Sequence, residues 1–291
     1  MKHWHAFVEV YRFDFVPSSY SLPRFTAFLS RRVKHPDKIL SAMAAFFKPT
    51  MANWDEIRYS HAMSAVLTGA AKQPQRPTKR SPPLLTEHLF AFVEGAVAPT
   101  ASYDDILFAL ISAVGFCGVM RLGDGLIDFD KIEDREWRKV IKRSSVVVTG
   151  HAEVKFVLPY SKTDKFYEGA TIVLRRSSSP EEFSVVDLFK LYLKKRDKLF
   201  PSSDRLFIRS NGNAPSRDWV VKRIRLVAPD VSGHGLRAGG CTWLATRGVP
   251  SDVIKRLGRW KGPDWEIYIR QHPALMAALA LWALKDHPEL E

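Results

Sequence analysis

The stretch from His234 to Arg270, HGLRAGGCTWLATRGVPSDVIKRLGRWKGPDWEIYIR, gathers several chemically capable side chains at short intervals. A His-x-x-Arg pair, His234 and Arg237, is followed by the small residues Ala238, Gly239 and Gly240, then by Gly258-Arg259-Trp260, then by Tyr268. Cleaving a phosphodiester requires neutralising charge on the non-bridging oxygens, activating a nucleophile and protonating a leaving oxygen. A guanidinium suits the first task because its fork matches phosphate geometry. A phenol can attack and remain as a covalent link that stores the bond for rejoining. An imidazole can take the phenol's proton, and an indole N–H can reach a phosphate oxygen while its ring packs. Each residue taken singly has a plainer reading: Tyr268 as an amphipathic core residue, Trp260 as core or rim, His234 as a helix-start histidine. The order and spacing of all four parts set those readings aside.

In that order and spacing the segment resembles the C-terminal signature of the tyrosine recombinase (phage integrase) family. Trp260 stands where many members have His, and eight residues separate it from Tyr268 where many members have nine. Gly-Arg-Trp at this spacing, followed by Tyr-Ile-Arg, resembles recombinases of eukaryotic mobile elements such as Cryptons. The resemblance implies three further residues upstream. An Arg followed three positions later by an acid, at the end of an apolar helix, is supplied by Arg121 and Asp124 in GFCGVMRLGDGLIDF. A Lys in a β-hairpin is supplied by Lys162 in LPYSKTDKFYEGATIVL, with Lys165 competing for the role. The implied roles are phosphate binding for Arg121 and Arg237, and nucleophilic attack for Tyr268. Lys162 would protonate the departing 5′ oxygen, and His234 would accept the phenol proton or bond the phosphate. Trp260 would donate its N–H, and Asp124 would orient Arg121 or His234.

The implied fold is mainly α with a small antiparallel β-sheet: a helical core-binding domain and an α+β catalytic domain. The implied activity is site-specific DNA recombination through a 3′-phosphotyrosine, on double-stranded DNA, by a homo-tetramer on paired sites, with no cofactor and no metal. Two other functions share the same residues: a non-catalytic DNA-binding protein derived from a recombinase, and a type IB topoisomerase-like enzyme. A covalent adduct on suicide DNA argues against the first. Relaxation of any supercoiled plasmid favours the second.

The composition agrees with a polyanionic partner. The 291 residues carry 44 Lys and Arg against 31 Asp and Glu, a net charge of +13, which favours nucleic acid. With 46% apolar and 12% aromatic residues, the chain can bury real cores. No stretch approaches the roughly 18 apolar residues of a membrane span. Met1–Phe15 is unlike a signal peptide. The two cysteines, Cys117 and Cys241, lie in apolar surroundings with no CxxC pair, which fits a reducing interior. An intracellular location follows, nuclear in a eukaryote and cytoplasmic or nucleoid in a bacterium. His5 and His151 lack ligand-spaced partners, and no P-loop or Gly-x-Gly-x-x-Gly is present.

The elements that must position these residues divide the chain in two. Residues 1–71 read as four short helices, the fourth running from Trp54 to Leu67. The abrupt helical start at Met1 leads us to expect further residues ahead of it. Residues 72–83, KQPQRPTKRSPP, are a basic, proline-rich linker with four prolines. From Leu84 to 291, helices are expected over Leu89–Val93, Ile106–Val119, Phe183–Leu199, Trp219–Leu226, His234–Thr246, Val253–Leu257 and Asp264–Arg270. Strands are expected over Val140–Val148, Val154–Leu158 and Ala170–Leu174. Gly239-Gly240 reads as a close-packing site on a helix. The apolar tail Pro273–Leu284 docks either on a neighbouring protomer or on its own domain.

Overall fold

A computed structural model of the chain describes residues 1–33, 36–72, 81–128, 136–161, 164, 166–176, 183–262, 265, 266 and 268. Lys162, Lys165, most of the linker and the tail Pro273–Leu284 lie outside the described residues. The chain divides into two compact units, Met1–Lys79 and Arg80–Glu291.

The first unit is helical: α1 (Lys2–Tyr11), α2 (Ser21–Ser30), α3 (Pro36–Phe47), α4 (Trp54–Arg58) and α5 (His61–Lys72). Its core is aromatic. Trp4 is fully buried, donates its indole N–H to the Phe15 carbonyl at 2.8 Å, and meets Phe25 edge-on with ring centroids 5.0 Å apart. Such an arrangement satisfies the one polar atom of the ring while its body stays dry. The helix expected over Trp54–Leu67 is two helices instead. The chain turns at Tyr59, and Ser60 restarts it by accepting the Met63 N–H on its hydroxyl, as N-cap serines do. In α3 the buried positions are Leu40, Met43 and Phe47, a strict i, i+3, i+7 stripe, while Phe46 faces solvent.

The second unit is built around α7 (Tyr103–Cys117), buried on every side from Ile106 to Phe116. A helix that is apolar all round belongs in the middle of a core. Around it stand α6 (Thr86–Val97), α8 (Val185–Leu199), α9 (Arg217–Val227) and α10 (Gly235–Thr246), and α11 (Ser251–Leu257) packs against α10. Serines cap three of these helices: Ser102, Ser184 and Ser216 accept the N–H of Asp105, Asp187 and Trp219.

A three-stranded antiparallel sheet, in the order β1 (Val147–Thr149), β2 (Glu153–Leu158) and β3 (Ala170–Arg175), completes the unit. Strand β2 pairs with β3 from Glu153↔Arg175 to Leu158↔Ala170. Val154, Phe156, Leu158, Ile172 and Leu174 face inward, and Phe156 meets Phe189 of α8. The chain is thus mainly α with one small antiparallel sheet. The strand expected over Val140–Val148 is mostly absent. Residues Trp137–Lys139 and Arg143–Ser145 form 3-10 turns, and only the last residues reach the sheet. The backbone here bonds elsewhere: Arg143 N–H to the Asp204 carbonyl at 2.7 Å, and Leu206 N–H to that of Ile141 at 3.0 Å. Val140 and Ile141 are both buried, which the alternation of a strand does not allow. The 200–205 turn is held by the buried Arg196, which donates to the carbonyls of Phe200, Ser203 and Arg205.

Helix α10 approaches its neighbours more closely than side chains permit. A Cβ on Gly239 would overlap the Leu84 carbonyl oxygen, and one on Gly240 would overlap that of Phe116. Leu84 itself donates its N–H to the Gly235 carbonyl at 2.9 Å, so the segment leading into α6 lies against the start of α10. Replacing Gly240 by Ala is therefore expected to cost about 2–3 kcal/mol through overpacking against main chain. That lowers Tm by about 5–10 °C for a unit of this size. Gly95→Ala, on α6 with open space around it, should be neutral or stabilising. Thermal unfolding of the two variants checks the contrast.

Candidate active site

Helix α7 ends at Gly118, and the next residue, Val119, adopts φ 48° while fully buried. A β-branched residue in the left-handed region is strained. The strain aims the Val119 carbonyl at two guanidinium groups: Arg237 Nη1 donates to it at 2.8 Å, and Arg259 Nη2 lies at 3.5 Å. Arg237 projects from the first turns of α10 and has no exposed surface. Its Nη2 donates to the Gly258 carbonyl at 2.5 Å, just past the end of α11.

The Gly258-Arg259-Trp260 turn then distributes its side chains. Gly258 leaves room for the Trp260 ring, which occupies the space a Cβ would need. Arg259 takes the left-handed conformation, φ 57°, so that its guanidinium points back toward Val119 while Trp260 folds over Arg237. The Arg237 Cζ lies 3.8 Å from the Trp260 ring centroid, a cation–π contact within the core. Tyr268 also packs against this ring, with centroids 5.9 Å apart, and its carbonyl accepts from Thr242 Oγ1 of α10 at 3.4 Å.

Asp124 is the counter-charge. It is 1% exposed. Its Oδ2 accepts the Arg121 backbone N–H at 3.1 Å, and lies 3.8 Å from Arg121 Nη1 and 3.9 Å from Arg259 Nη2. Arg121 and Asp124 thus form a local turn whose carboxylate serves two arginines. Three guanidinium groups share one carboxylate. Burial, reinforced by repulsion from Arg121 and Arg259 and opposed by Asp124 and Tyr268, brings the Arg237 pKa down to about 10. Arg259 is lowered as well, first by burial, with Arg121 adding to the effect and Asp124 opposing it. Three guanidinium nitrogens of this cluster are buried and make no hydrogen bond among the described residues: Arg121 Nη1, Arg237 Nε and Arg259 Nε.

The structure thus brings Arg121, Asp124, Arg237, Trp260 and Tyr268 into one neighbourhood. His234 stands immediately before α10, with its side chain exposed and its carbonyl bonded to Ala238 N–H. Lys162 lies outside the described residues. Its hairpin neighbours Ser161 and Asp164 form a β-bridge and line a cleft of 820 Å³ together with Tyr160, Arg259 and Trp260. Asp164 accepts the backbone N–H groups of Phe166, Glu168 and Gly169, which shapes the hairpin tip. Arg259 received no chemical role from sequence. The available signal was its position between two assigned motif residues. Cys241 is a core residue, and burial pushes its thiol up to about 12. Among the described residues no cluster of His, Cys, Asp and Glu could hold a metal ion, and no helix is long and apolar enough to cross a membrane.

A cluster of like charges with unused donors stores electrostatic free energy that an anion releases. Sulfate at about ten times its dissociation constant should stabilise the protein by about 1.4 kcal/mol, or about 3–6 °C in Tm. Arg121→Gln should lose most of this gain while keeping the non-specific salt effect. The pH dependence has a definite sign. Burial holds the folded Arg237 pKa at about 10, below the ordinary guanidinium value, so between pH 10 and that ordinary value the unfolded chain holds a proton that the folded chain has released. The cost of burying the cation is present in full below pH 10 and is relieved as pH rises through that window. The sulfate gain should therefore persist at neutral pH and shrink above about pH 10. Differential scanning calorimetry with and without sulfate checks both statements.

Comparison with known proteins bears on the fold. No family model and no curated protein sequence matches the chain. Among solved structures, the crystal structure of XerA recombinase is similar with a TM-score of 0.50 and 16% identity, covering 97% of this chain and 89% of that one. XerH site-specific recombinase bound to a palindromic difH substrate matches with a TM-score of 0.48 and 16% identity, over 91% of this chain and 79% of that one. A lambda integrase dimer bound to a COC′ core site matches with a TM-score of 0.48 and 14% identity, over 92% and 70%. The chain has the fold of XerA recombinase, in keeping with the tyrosine recombinase fold that the resemblance of its C-terminal motifs implied.

Proposed function

We propose that the chain is a site-specific DNA recombinase that cleaves and rejoins strands through a covalent 3′-phosphotyrosine on Tyr268. The observation that carries this reading is the buried cluster of Arg121 and Arg237, with unused N–H donors, beside the Tyr268 ring. Two guanidinium groups from distant parts of the chain can hold the two non-bridging oxygens of one phosphate and take up the charge that grows on them. The Tyr268 oxygen attacks phosphorus, the bond from phosphorus to the 5′ oxygen breaks, and a 3′-phosphotyrosine remains. The phenol proton passes to His234, and Lys162 gives a proton to the departing 5′ oxygen, so charge and protons balance. Rejoining reverses each transfer.

In this reading the net charge of +13 supplies affinity for duplex DNA, which should fall steeply with salt. The helical unit Met1–Lys79 acts as the core-binding domain, and the basic linker lies along phosphates. Synapsis of two sites takes a homo-tetramer, with an element-mobilising or integrating role for the whole protein.

Duplexes enriched by binding from a random pool, nicked near the cleavage point, provide the test. Wild-type protein should give a band that survives denaturing electrophoresis. Tyr268→Phe should give none while binding the same duplex within about threefold of wild type, since one hydroxyl adds little to a phosphate-dominated affinity. A persistent adduct in that variant refutes the assignment. Lys162→Ala should cleave about 100-fold more slowly on ordinary DNA. It should recover on a substrate with sulfur at the 5′ bridging position, because a thiolate leaves without a proton. Lys165→Ala should show neither effect. The reverse pattern would move the acid to Lys165.

A further inference from the structure

We infer that Arg259 is a third phosphate-binding group of the site, and that the neighbouring Trp260 is a positioning residue which holds Arg237. The inference deepens the recombinase reading and rests on it for its chemistry.

Three observations carry it. First, the Arg259 side chain is only 18% exposed, and its Nε is buried without a hydrogen bond among the described residues. Its Nη1 donates to the Leu257 carbonyl at 2.9 Å, while its Nη2 makes only long approaches, 3.5 Å to the Val119 carbonyl and 3.9 Å to Asp124, and so is the terminal nitrogen left to take a stronger acceptor. Second, Arg259 belongs to the same electrostatic cluster as Arg121 and Arg237. All three act on one another, and Asp124 lies within 4 Å of both Arg121 and Arg259. Bringing a third cation beside two others is unfavourable unless an anion completes the set. Third, the backbone is bent to deliver it. Arg259 adopts φ 57°, a conformation an arginine has no reason to prefer, and lines the cleft that the hairpin carrying Lys162 also borders.

Trp260 borders the same cleft, but only 8% of it is exposed and its ring is taken up by packing. It is buried against Gly258 and Arg237 and also meets the Tyr268 ring. Its ring fixes where Arg237 and Tyr268 stand. Sequence alone suggested that its indole N–H reaches the phosphate. The packing assigns the donor's task to Arg259 instead.

Two measurements decide the matter. Titration with inorganic phosphate, followed by calorimetry, needs no DNA site and tests the inference even if no adduct is ever found. Arg259→Gln should weaken phosphate binding about tenfold, Arg259→Lys by less, and Trp260→Phe by under about threefold, since Phe keeps a ring and loses only the N–H. Circular dichroism and thermal unfolding establish that each variant is folded. Single-turnover cleavage of the enriched duplexes gives the second readout. Arg259→Ala should slow adduct formation on the order of 100-fold. On a duplex with a methylphosphonate at the cleaved position, which lacks the charge that Arg259 neutralises, the deficit should shrink to within about fivefold. A merely structural role would not produce that rescue. Trp260→Ala should be slow and Trp260→Phe close to wild type. If Arg259→Gln binds phosphate as well as wild type while Trp260→Phe does not, the assignment is overturned. Failure of wild-type protein to form any adduct would instead count against the recombinase reading.

Discussion

A guanidinium with no exposed surface has to replace its lost water with acceptors, and Arg237 does so with two main-chain carbonyls, those of Val119 and Gly258. These carbonyls belong to segments that follow α7 and α11, so one side chain on α10 ties three helices together. The tie sets the backbone on both sides. Val119 takes a left-handed conformation that costs a β-branched residue about 1–3 kcal/mol. Gly258 stays free of a side chain because the Trp260 ring has to lie there. Losing either carbonyl would leave a buried cation unpaired, among the most costly defects a core can hold.

The close approach of α10 to α7 is what makes the tie possible. Gly239 and Gly240 let the helix meet the carbonyls of Leu84 and Phe116 directly. With any larger residue, α10 would stand away from α7 and Arg237 would lose its reach to Val119. The glycine pair therefore sets the position of Arg237 through packing. The electrostatics follow from the same closeness. Arg121, Arg237 and Arg259 converge because the backbone leaves them few alternatives, and the single carboxylate of Asp124 offsets only part of their repulsion. The chain carries in its fold a buried charge imbalance whose cost the surrounding core must cover.

Much of this was legible in the residues. The long apolar run of α7, the amphipathic α8, and the strands β2 and β3, whose burial alternates, were found close to their observed bounds. The misreadings have local causes. Ser60 stops and restarts a helix whose apolar pattern runs straight through it. Val140 and Ile141 look like part of a strand but pack as a turn held by residues 204–206. Arg259 was passed over because Trp260 is the more conspicuous member of its motif. The step of eight positions from Trp260 to Tyr268 looked one short of the commoner interval, whereas Arg259 stands nine positions before Tyr268.

What the sequence by itself determined is the inventory and its order: two arginines, an acid, a tryptophan and a tyrosine, on elements whose periodicity names them helix or turn. Local pattern carries that information because hydrogen bonding and burial within an element depend on neighbours three or four positions away. Which donors would remain unused, and which residue of Gly-Arg-Trp would face the cluster, were decided only in the folded unit. Those outcomes depend on two left-handed residues and on a helix contact closer than a methyl group allows. Both arise from packing between segments more than one hundred residues apart, and no spacing along the chain encodes the distance at which they meet.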